Sequence, residues 1–76
     1  MEFLLNNQEK IEAINVSIKE FEKSLILRLA AIDIDFEDFN PDQFRSEADP
    51  EKGSHAGIVE IINKIEYLQS KKENLV

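Results

Sequence analysis

Cysteine is missing from the sequence altogether. Its absence excludes a disulfide framework, a thiolate nucleophile and a cysteine-based zinc site, the usual reinforcements of a short chain. The only glycines are Gly53 and Gly57, and no lysine-serine or lysine-threonine pair follows them in register, which excludes a glycine-rich phosphate-binding loop. The one histidine, His55, has no ligand or nucleophile companion beside it in sequence and is expected as a surface residue at a helix start. No apolar run is long enough to span a bilayer, so a membrane is not an expected partner. Residues 1–5 are apolar apart from Glu2 but carry no basic start or cleavage signal, and the expected location is the cytoplasm.

What is present is a chain of 76 residues, 42% hydrophobic and 33% charged, a mixture too apolar for disorder. The length suits one domain, near the size at which a single core is only marginally stabilising. Without disulfides, oligomerisation is the leading remedy. The formal charge of −7 is concentrated in one place. Residues 33–51 hold eight acids (Asp33, Asp35, Glu37, Asp38, Asp42, Glu47, Asp49, Glu51) against Arg45 alone, while the flanks balance. Mixed charge of that balanced kind is typical of solvated helix faces, so the middle segment is a different kind of object.

Two helical patterns flank it. Ile11, Ile14, Ile18, Phe21, Leu25, Leu29 and Ile32 recur three or four apart, predicting a long helix over about 6–32, with Asn6 and Glu9 as a capping pair. An earlier start through Phe3, Leu4 and Leu5 is compatible with the pattern. At about 1.5 Å per residue this helix is about 40 Å long, which implies an elongated molecule. Residues 25–32 are apolar at every position except Arg28, more surface than one neighbouring helix covers. Ile58, Ile61, Ile62, Ile65 and Leu68 predict a second helix over about 54–74; Asp49, Pro50 and Glu51 offer an alternative start, weakened by Gly53 and Gly57. In the acidic linker, about 33–53, apolar and acidic residues alternate from Ile32 to Phe39 with no strand to pair with. An extended or irregular segment is expected, with Ile34, Phe36 and Phe39 folding back on the helices. Asn40 and Pro41 signal a turn or short helical turn carrying Phe44 inward.

The acids Asp33, Asp35, Glu37 and Asp38 invite a calcium reading, but an EF-hand register would need glycine where Asp38 stands and an acid where Phe44 stands. A solvated acidic face is expected instead, with no metal and no cofactor. No acid sits in the apolar, glycine-rich context that prepares a general acid or base, so catalysis is not expected. The negative middle would repel a phosphate backbone, which argues against direct nucleic-acid binding, yet it suits a basic groove on a protein partner.

The expected architecture is all-α: an antiparallel helical hairpin with an acidic, partly irregular linker, dimerising into a four-helix bundle. Candidate interface residues are Phe21, Leu25, Leu29, Ile32, Ile58, Ile61, Ile62 and Ile65. The expected function is a protein-interaction module, an adaptor, small chaperone or inhibitor. Its candidate binding residues are Asp33, Asp35, Phe36, Glu37, Asp38, Phe39 and Phe44, and an apolar helix face is an alternative docking surface. The alternative is a self-assembling structural homo-oligomer with no other ligand.

Overall fold

The computed structural model describes residues 4–75. Among them the regular elements are all helical: α1 (Asn7–Ala30), a single 3-10 turn (Phe36–Asp38), α2 (Pro41–Glu47) and α3 (Gly53–Leu75). The all-α class holds, with three α-helices where two were expected.

The start of α1 is fixed by Asn6, which is extended in backbone and whose side-chain Oδ1 accepts the Glu9 backbone N–H at 2.9 Å. Leu4 and Leu5 precede the helix, and Phe3, part of the suggested earlier start, lies outside the described residues. The helix ends at Ala30, two residues short of the expected Ile32. Two backbone bonds close it: the Ile34 N–H donates to the Leu29 carbonyl at 3.0 Å, and the Asp33 N–H to the Ala30 carbonyl at 3.2 Å. This is a Schellman closure, and Asp33 occupies its left-handed position with φ of 60°. Ile34 consequently folds back onto the core cluster that contains Leu29. The alternation from Ile32 to Phe39, expected as an extended or irregular segment, is a helix cap followed by a 3-10 turn.

Asn40 caps α2 by accepting the Gln43 N–H at 3.1 Å, and Pro41 fills the first helical position, where a missing N–H costs nothing. Residues 49–52 form a turn, with the Lys52 N–H donating to the Asp49 carbonyl at 3.0 Å and Asp49 Oδ1 accepting from the Glu51 N–H at 2.9 Å. Asp49, Pro50 and Glu51 thus precede α3 instead of opening it. The helix opens at Gly53.

Leu25, Leu29, Ile58, Ile61 and Ile62 form the buried cluster, lidded by Phe21, Ile32, Ile34, Phe39, Phe44 and Ile65. Each fully buried aliphatic side chain contributes about 1.5–3 kcal/mol. Contacts run in opposite order along α1 and α3: Lys72 donates to Asn15 at 3.1 Å, Lys64 lies over the Phe21 ring, and the Arg28 guanidinium reaches Gly57. The chain measures 41 × 20 × 19 Å, and its core is concentrated where the end of α1 meets the start of α3. Toward the other end Ile18 is the buried residue, and Ile11, Ile14 and Leu68 are half-buried.

Candidate functional site

The linker returns across α1 and α3 and leaves a cleft of about 330 Å³ beside them. Leu25, Ile62 and Ile65 supply its apolar floor, Phe36, Phe39 and Pro41 its wall, and Glu22, Glu66 and Gln69 its rim. Two local devices place that wall. Asp35 caps the 3-10 turn by accepting the Glu37 N–H at 3.0 Å, and Asn40 with Pro41 starts α2.

The three linker phenylalanines have different surroundings. Phe44 packs into the core, 5.6 Å from the Phe39 ring and 5.4 Å from the His55 ring. Phe39 is half-buried, shared between core and cleft. Phe36, at 40% exposure, is the linker aromatic with substantial accessible surface. Asp33, Asp35, Glu37 and Asp38 are all exposed, and none forms an ion pair among the described residues.

Arg45, the one base of the acidic segment, is already engaged. It pairs with Asp42 on its own helix and with Glu66 of α3 at 2.9 Å, and it donates to Asn63 Oδ1 at 3.2 Å. Its hydrogen bonds to Asp42, and then to Glu66, hold the guanidinium above its ordinary pKa. The sign is favourable: that contribution is present below the ordinary arginine range and is lost as pH rises through the raised value. Arg45 thereby ties α2 to α3 and, among the described residues, leaves Asp33, Asp35, Glu37 and Asp38 without an ion-pair partner. No group of three or more potential metal ligands gathers among the described residues.

The eight candidate interface residues lie within this one chain, in the core or packed against it. His55 is less exposed than expected. It is half-buried, its Nδ1 accepts the Asp49 backbone N–H at 3.1 Å, and it joins the turn to α3 and to Phe44. The sequence does not single out Glu22, Glu66 or Gln69, because nothing in it relates a residue of α1 to one of α3. A second hollow of about 490 Å³ lies between α2, the 49–52 turn and α3, but it carries no aromatic residue and holds the engaged Arg45. Among the described residues no helix is long and apolar enough to cross a membrane. No protein-family model, curated protein or solved structure matches the chain.

Proposed function

We propose that this chain is a small acidic protein-interaction module, an adaptor, small chaperone or inhibitor, that engages a basic, apolar segment of a larger protein through its linker and the adjoining cleft. The observation that carries this reading is the exposed Phe36 at the wall of an apolar cleft, with four acids around it in sequence that form no ion pair among the described residues. An aromatic anchor beside an apolar floor supplies affinity, and uncompensated negative charge speeds and orients the encounter with a cation-rich segment. Catalysis and cofactor binding have no part in the reading.

The test is a nuclear magnetic resonance titration with a synthetic amphipathic peptide carrying lysine and arginine around several leucines, beside an acidic peptide of matched length. Shifts are expected at Phe36, Ile62 and Ile65 with the basic peptide alone, and they should weaken as salt is raised. The combined variant Asp33→Asn, Asp35→Asn, Glu37→Gln and Asp38→Asn keeps the Asp35 capping acceptor and should bind more weakly. If the cleft stays silent, or the variant binds unchanged with the same salt dependence, the reading fails.

A second reading is favoured by a different observation. Val16, Ile26 and Leu27 are 62%, 43% and 73% exposed on α1. In this reading α1 and α3 are the two arms of an antiparallel hairpin, and hairpins associate through that uncovered surface into a structural homo-oligomer of four long helices.

A further inference from the structure

Ala13, Val16, Glu20, Lys23, Leu27 and Ala30 are spaced three and four residues apart in alternation along α1, and every one of them is exposed. That spacing makes one continuous stripe. At about 100° per residue it lies on the opposite side of α1 from the stripe through Ile18, Leu25 and Leu29, so α3 does not cover it. The order of residues in the stripe reads as its own complement when reversed. Placed antiparallel about a dyad level with the peptide joining Phe21 and Glu22, two copies set Ala13 against Ala30, Val16 against Leu27 and Glu20 against Lys23, each pair twice.

We propose that this outward face of α1 is a homodimer interface in that antiparallel register. The inference rests on the self-assembly reading above and gives it a surface and a geometry. The charge pattern selects the register: a parallel pairing in step would put Glu20 on Glu20 and Lys23 on Lys23, whereas the antiparallel one makes a four-charge cluster. Within one chain Glu20 and Lys23 already lie 3.5 Å apart, so the cluster needs no new rotamer search. The alanines near both ends let the backbones approach. Because the stripe and the core face oppose each other, the four long helices line up in one layer in the order α3, α1, α1, α3. The closed bundle expected from the sequence is replaced by this arrangement.

The experiment is sedimentation equilibrium of the full chain over a dilution series, with circular dichroism as the folding control. Mass should rise from monomer to dimer with concentration. Glu20→Lys and Leu27→Glu, both at exposed positions, should each raise the dissociation constant by about tenfold or more without loss of helicity. The exchanged pair Glu20→Lys with Lys23→Glu should restore dimerisation. Since the chain has no cysteine, an equimolar mixture of Val16→Cys and Leu27→Cys proteins should cross-link under oxidation while neither does so alone. In the proposed register two copies of residue 16 stand about 16 Å apart, beyond disulfide reach. Self-cross-linking of Val16→Cys would overturn the antiparallel register. A dimer indifferent to every substitution would overturn the interface while leaving self-assembly standing. A monomer up to about 1 mM would overturn both, and none of these outcomes touches the cleft.

Discussion

Asp33 sits at φ of 60°, a conformation that disfavours branched side chains and that aspartate tolerates through its short polar group. Comparing Asp33→Val with Asp33→Gly isolates the backbone contribution, since both remove the same charge. The valine variant should be about 1–2 kcal/mol less stable than the glycine variant in urea unfolding, because only glycine enters this region freely. Leu29 and Leu27 make a second informative pair. Leu29 is fully buried and Leu27 is 73% exposed, although they stand two positions apart. Leu29→Ala should cost about 2–5 kcal/mol, a large share of the stability of so short a chain, whereas Leu27→Ala measured on dilute monomer should stay within about 0.5 kcal/mol of the parent. Equal losses at the two sites would contradict the assignment of α1's faces.

The elements differ in what holds them. α2 has seven residues and depends on its cap, its proline and the Arg45 clasp to Asn63 and Glu66. Asn40→Ala should therefore cost about 1 kcal/mol, with faster amide exchange within α2 as the local sign. Gly57 lies in the second turn of α3, and a Cβ there would come 2.8 Å from the Arg28 guanidinium tip. The tip is flexible and can turn toward solvent, so Gly57→Ala should raise the melting temperature, with up to about 1 kcal/mol of helix propensity gained. A fall would show that the Arg28 contact fixes the helix pair. The long helices and the Asn6 cap were legible because periodicity and capping are local. The closure at Asp33 was not, because it uses aspartate where glycine is the usual signal, and Ile32 to Phe39 then imitates a strand. The cleft was half legible. Phe36 and Phe39 stood out among the acids, but Glu22 and Gln69 enter only through the way α1 and α3 meet.

Over the whole molecule, negative charge and apolar packing are concentrated toward the same end. The linker lies over the cluster formed by Leu25, Leu29, Ile58, Ile61 and Ile62, so the segment with the excess of acids is anchored through Ile34, Phe39 and Phe44 to the best-packed part of the chain. The opposite end has half-buried Ile11, Ile14 and Leu68 and, among the described residues, one side-chain hydrogen bond across the helices, from Lys72 to Asn15. Such a distribution behaves like a pair of tweezers whose pivot is firm and whose tips part readily. Hydrogen exchange should report it as a gradient: amides near Leu29 and Ile62 exchange only when the whole chain opens, while those near Ile11 and Leu68 exchange through smaller openings. Uniform protection along α1 and α3 would contradict that gradient. The tips can thus open and close many times while the pivot, and the wall of the cleft built on it, keeps its shape.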